Sequence, residues 1–100
     1  MTTGFLRNAV HSMNVEEVLN YVTNLDGFDE YGRDGFEVCL YNVLLSGSMR
    51  RKWGIGLDEE DANRMWNKGY VPRVIVEFVC ECYDLDYRYL AANVVTHMEW

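Results

Sequence analysis

From Val71 to Tyr83 the chain is apolar everywhere except at Pro72, Arg73, Glu77 and Glu81, which makes this its densest apolar stretch. At helical spacing Glu77 and Glu81 stack one turn apart as a narrow polar stripe. Val71, Val74, Ile75, Phe78, Val79 and Cys82 then cover most of the remaining circumference. A helix this apolar belongs in the middle of a bundle, with Pro72 at its first position, where the missing N–H costs nothing. At strand spacing Val74, Val76, Phe78, Cys80 and Cys82 also share one face, and β-branched residues abound. The helix is the favoured reading, because the flanking segments repeat at helical period and an isolated strand would have no partner. A strand over 71–83, giving an α+β fold, is the alternative.

The rest of the chain supplies the neighbours of that helix. Residues 5–11 have the pattern of one or two helical turns. Asn14 follows as an N-cap with Glu17 three residues on, and Met13 and Val18 stand where a hydrophobic staple would join them. The helix so opened, 15–25, would bury Val15, Val18, Leu19, Val22 and Leu25. Residues 26–35, DGFDEYGRDG, read as a loop whose three glycines permit positive φ. Asp34 then caps a helix over 36–46, with Glu37 as box partner, and Gly47 stops it. Phe36, Cys39, Leu40, Val43 and Leu44 form its apolar face.

SGSMRRKWGIG is a short link with the only basic run, Arg50-Arg51-Lys52, next to Trp53. Asp58 opens a helix over 59–68, and Glu59, Glu60 and Asp61 sit favourably at the positive end of its dipole. Its apolar face, Ala62, Met65 and Trp66, is narrow and marks it as peripheral. Gly69 ends it, with Tyr70 placed to pack back on Met65. Asp84-Leu85-Asp86 makes a turn and cap, and a last helix over 87–97 offers Leu90, Ala91, Val94 and the adjoining Met98 to the core. The pattern predicts an all-α fold, a compact single-domain bundle of five or six short helices covering residues 1–100.

Composition agrees with a folded chain: 49% of its 100 residues are hydrophobic and 14% aromatic. Charge narrows the partners. Nine Lys and Arg against sixteen Asp and Glu give a net charge of -7 and a pI near 4.6. Such a surface repels nucleic acid and anionic membranes, and it suits a basic protein partner or simple solubility. Cys39, Cys80 and Cys82 are odd in number and lack a disulfide framework, which points to a reducing cytoplasm. MTTGFLRNAVHSM has no apolar core of a signal peptide, and no apolar run reaches membrane-spanning length. The expected location is the cytoplasm.

Enzyme signatures are missing: there is no phosphate-binding glycine loop, no nucleophile elbow and no H-E-x-x-H. His11 and His97 read as surface or helix-end residues. Cys80 and Cys82 would point to opposite sides of a helix, the wrong geometry for shared metal ligation, and read as core thiols. The window from Asp26 to Glu37 has the acids that begin and end a calcium loop. Its interior fails, with Phe28 at a ligand position, Tyr31 where the turn glycine belongs and Arg33 adding a repelling charge. A helix-turn-helix built from 59–68 and 72–83 would present Glu77 and Glu81 to DNA, so no direct nucleic-acid contact is expected. Neither an enzyme, a cofactor, a metal nor a small-molecule substrate is indicated.

Acid blocks remain: Asp26, Asp29, Glu30, Asp34 and Glu37 around Arg33, then Asp58–Asp61, then Glu77, Glu81, Asp84 and Asp86. Phe28, Tyr31, Trp53 and Tyr70 lie among or near them, and exposed aromatics beside charge are what interface cores are made of. The partner-binding candidates are Asp26, Asp29, Glu30, Tyr31 and Asp34, with Glu59 and Glu60 as a second patch. The bland alternative is a set of capping acids that keep a small protein in solution.

The stretch NLDGFDEYGRDGFEVCLYNVLLSG, followed by GLDEEDANRMWNKGY, resembles the phage and mobile-element anti-CRISPR proteins that act on type I-F surveillance complexes. That group has no shared diagnostic motif, so the resemblance transfers no individual residue. It implies a stoichiometric inhibitor that binds CRISPR-Cas subunits and blocks target DNA by occupying a basic DNA-binding surface, a form of DNA mimicry. The competing expectation is an acidic cytoplasmic adaptor or antitoxin that binds one basic host protein.

Overall fold

The computed structural model describes residues 10–25 and 27–97. Among them are six helices and three very short strands: β1 (Ser12–Asn14), α1 (Val15–Thr23), α2 (Glu30–Leu45), α3 (Gly47–Lys52), α4 (Glu59–Asn67), β2 (Tyr70–Pro72), α5 (Arg73–Cys82), α6 (Tyr87–Asn93) and β3 (Thr96–His97). The architecture is the expected helical bundle with a small sheet added. Residues 5–9 of the first anticipated helical segment, and Met98, lie outside the described residues; Val10 and His11 are not helical.

Local capping decides where several helices begin. Asn14 Oδ1 accepts from the Glu17 amide at 3.0 Å, and Asp58 Oδ1 from the Asp61 amide at 2.8 Å. Asp86 caps α6 through the Arg88 amide at 2.9 Å. The apolar face of α1, with Val15, Val18, Leu19 and Val22 buried, packs on α2 through Phe36, Leu40 and Leu44. Helix α5 completes the centre with Ile75, Val76, Val79 and Cys80, all without solvent contact. Full burial of each such aliphatic side chain contributes about 1.5–3 kcal/mol, so these three helices hold most of the core. As its narrow apolar face implies, α4 buries only Ala62 and Met65.

Stretch 71–83 is a helix from Arg73 onward, which excludes the strand alternative over most of its length. Its entry is extended, however. Tyr70–Pro72 forms β2, and Pro72 is the N-cap and not the first helical residue. The partner missing from the sequence reading is β1: Met13 pairs with Val71 and, on its other side, with Thr96, in antiparallel order β2-β1-β3. The anticipated helix 87–97 therefore stops at Asn93, because Thr96 and His97 are recruited to the sheet. Likewise 15–25 stops at Thr23.

The helix expected at 36–46 begins at Glu30 and runs to Leu45, so Asp34 is an exposed helical residue and not a cap. Gly47 does not simply end it. Ser46 closes α2 and at once caps α3 by accepting from the Met49 amide at 3.3 Å, which makes the supposed link a helix.

A candidate partner-binding surface

The N-terminal end of α2 carries most of the candidate contacts. Asp29 Oδ1 accepts from the Gly32 amide at 2.9 Å and fixes the helix start. Behind it, Phe28, Phe36 and Tyr83 form an aromatic cluster, with ring centroids 6.3 Å apart for Phe28–Phe36, 5.9 Å for Phe28–Tyr83 and 5.2 Å for Phe36–Tyr83. This packing explains two glycines that local rules assign to a loop. A Cβ on Gly32 would stand 2.9 Å from the Phe28 ring, and one on Gly35 would stand 3.0 Å from the Tyr83 hydroxyl. Both are helical; in this segment Gly27 alone takes positive φ, at 88°.

What this end offers to solvent is Asp29, Glu30, Tyr31 and Asp34, all exposed, with Tyr31 at 87%. Asp26 lies outside the described residues. Asp29 and Glu30 stand at the N-terminal end of α2.

Glu59 and Glu60 are exposed too, yet they stand elsewhere. Arg50 donates to the Leu44 and Leu57 carbonyls, which brings the approach to α4 against the C-terminal end of α2. Sixteen residues of helix, roughly 24 Å, separate that end from Asp29. The six candidates among the described residues therefore stand as two patches, Asp29, Glu30, Tyr31 and Asp34 in one and Glu59 and Glu60 in the other. In the second, Asp61 is paired with Arg64 and Asp58 is occupied as a cap.

Other expectations are corrected here. Of the four aromatics placed beside charge, Tyr31 alone is exposed. Phe28 packs in the cluster above, Trp53 lies edge-on to Phe78 at 5.3 Å, and Tyr70 lies edge-on to His97 at 5.4 Å. Within the basic run next to Trp53, Arg50 is buried, leaving Arg51 and Lys52 exposed. Cys80 is a core thiol, whereas Cys82 on the opposite side of α5 is exposed. Burial, assisted by the Glu77 charge, pushes the Cys80 thiol up to about 12. Desolvation, then the neighbouring Cys82, raises Cys39. From Glu30 onward the presumed calcium window is α2, and among the described residues no three His, Cys, Asp or Glu side chains group as a metal site requires.

Sequence reasoning missed the middle of the outward α2 face. Val38 is 56% exposed, one turn beyond Asp34. Beside it the Tyr41 and Trp66 rings lie 5.2 Å apart, tilted by 58°, and Glu37, Val38, Tyr41 and Trp66 line a hollow of about 300 Å³. A second hollow of about 380 Å³ adjoins it across Glu37 and Trp66, reaching Glu16 and Leu19 of α1 and Arg33 of α2. The available signal was Val38 itself, an apolar residue off the buried stripe. No helix among the described residues is long and apolar enough to cross a membrane. No family model matches the chain, and no curated protein or solved structure is similar to it.

Proposed function

We propose that this chain is a stoichiometric, non-catalytic protein inhibitor that occupies a basic, DNA-binding surface of a partner complex. The observation that carries the reading is the exposed end of α2, where Tyr31 stands 87% exposed among the exposed acids Asp29, Glu30 and Asp34. These groups sit on a helix start held by its own cap and by the aromatic cluster, so little ordering entropy is lost on docking. The acids match the Lys/Arg lining with which nucleic-acid-binding proteins hold phosphates. Long-range attraction speeds arrival, and a desolvated tyrosine slows departure. The resemblance to type I-F anti-CRISPR proteins names the partner complex, and the geometry supports its class, a basic protein surface.

The test is capture by the tagged chain from bacterial lysate containing an active type I-F surveillance complex, followed by a gel shift of the eluted complex with target DNA. Recovery of the complex with DNA binding lost is the expected result. Recovery with DNA binding intact would move the block to a later step, such as nuclease recruitment. Failure to recover the complex, with one other basic protein enriched from lysate, would replace this reading with the adaptor or antitoxin.

A further inference from the structure

We infer that the paired hollows around Trp66 are the seat for an amphipathic, Lys/Arg-bearing helix of a partner protein. The inference rests on the reading of the chain as a binder of basic protein and places the tightest contact away from Tyr31, in the middle of α2. The first hollow has an apolar floor: Trp66 and Tyr41 are half-buried with their tilted rings 5.2 Å apart, and Val38 is 56% exposed at its edge. Trp and Tyr in a concave, partly desolvated setting are the residue types that dominate binding energy when covered.

Charge selects the occupant. Glu37 belongs to both hollows and Glu16 rims the second, with Asp34 one turn along the same α2 face; among the described residues Arg33 is the one cation lining either hollow. A partner side chain crossing the Trp66 ring therefore does best as Arg or Lys, its stem on the indole and its head toward Glu37 and Glu16. An adjacent leucine-sized residue fills the space between Val38 and Tyr41. Acidic helices and phosphate chains are repelled by the same rim. An apolar residue flanked by cations at helical spacing is the pattern that fits, a helix-in-groove mode of recognition.

The probe is a synthetic amphipathic peptide of about four helical turns, with Leu along one face and Arg flanking it. It is titrated into the ¹⁵N-labelled full chain, alongside a control peptide carrying Glu in place of Arg. Saturable amide shifts confined to residues 37–41, 66 and the adjoining turn of α1, with the Arg peptide only, are the expected result. Val38→Arg and Glu37→Lys, both at solvent-accessible positions, should each weaken that binding about tenfold while the remaining spectrum stays native. Shifts centred on Tyr31 or on α6, equal binding of the Glu peptide, or undiminished binding by Val38→Arg would overturn the assignment. Because the peptide contains no CRISPR component, the outcome is independent of whether the surveillance complex is captured.

Discussion

Arg50 donates from Nε to the Leu57 carbonyl at 3.0 Å, while its Nη1 donates to the Leu44 carbonyl at 2.7 Å. A guanidinium that is 7% exposed thus bridges the last turn of α2 to the approach of α4. Leu44 is one of the carbonyls a helix end leaves without an intrahelical donor, and the negative end of the dipole there stabilises the cation.

Truncation of this side chain leaves two buried carbonyls without donors. Arg50→Ala is expected to cost about 3 kcal/mol, on the order of 15 °C in Tm for a chain of this size. Arg50→Lys should recover only part of that, since an ammonium lacks the planar fork that reaches both oxygens. Thermal unfolding followed by circular dichroism measures both.

Asp84 presents the opposite case, a side chain where none is wanted. Its φ is 58°, and the bonds from Asp84 N to Glu81 O at 3.1 Å and Leu85 N to Cys80 O at 2.8 Å close α5 in a Schellman motif. Glycine is the residue that adopts this conformation without penalty. Asp84→Gly should stabilise the chain by about 0.5–1 kcal/mol, visible as a higher denaturation midpoint at unchanged slope.

Gly35 and Tyr83 should be energetically coupled. Alanine ordinarily gains about 1 kcal/mol over glycine inside a helix. At Gly35 the new Cβ would stand 3.0 Å from the Tyr83 hydroxyl, so Gly35→Ala alone should show no such gain. In a Tyr83→Phe background the obstruction is gone, and the same substitution should be stabilising by about 1 kcal/mol. Additive effects in the double-mutant cycle would contradict this close approach.

The three thiols should separate by reactivity and by pH. Exposed Cys82 should react with a disulfide reagent at pH 8 in the native state, Cys39 more slowly, and Cys80 only on unfolding. The raised Cys80 pKa also means that the folded chain keeps its proton where the unfolded chain, at about 9.0, gives it up. That contribution to stability is complete below pH 9 and is lost between about 9 and 12. Tyr87, raised mainly by its own desolvation, acts in the same direction. Alkaline denaturation should therefore be shallower in Cys80→Val than in the wild type.

The acidic end of α2 contains one residue with a structural duty. Asp29→Lys should lower stability by about 1 kcal/mol through loss of the cap on Gly32, whatever it does to binding. Tyr31→Ala and Asp34→Lys avoid that confusion, because both side chains project into solvent. Each should weaken capture of a basic partner with Tm changed by no more than a degree or two, the behaviour of surface substitutions.

Where structure follows from neighbouring residues, the sequence was a good guide. Asn14, Asp58 and Asp86 cap the helices that their spacing announces, and α1 buries the stripe that its periodicity draws, whereas α5 is turned so that Val76 and Cys80 join Ile75 and Val79 in the core while Cys82 is exposed. Legibility failed where the reason lies in how segments pack on one another and not in their own pattern. Gly32 and Gly35 weaken the helical signal of α2, and only the arrival of Phe28 and Tyr83 explains them. Arg50 looks like one of three surface cations until Leu44 and Leu57 surround it. Strands of two or three residues carry no pattern at all, so Thr96 and His97 read as a helix end. The acids Asp29, Glu30 and Asp34 could be read directly, whereas the Tyr41–Trp66 pair depends on how α4 crosses α2.

Strand β1 lies between β2 and β3, with Met13 opposite both Val71 and Thr96. Each of these pairings closes a loop comprising most of the described chain, whereas the contacts of α1 with α2 join close sequence neighbours. Closure of loops that long is expected to follow local contacts, so the sheet should close after α1 and α2 have met, in step with the similarly long-range packing of α6 on α1. During synthesis β1 is made before both of its partners, so it waits for His97 before its pairing is complete. The sheet is thus a late clasp on a helical assembly, and the acidic end of α2 is in place before the clasp shuts.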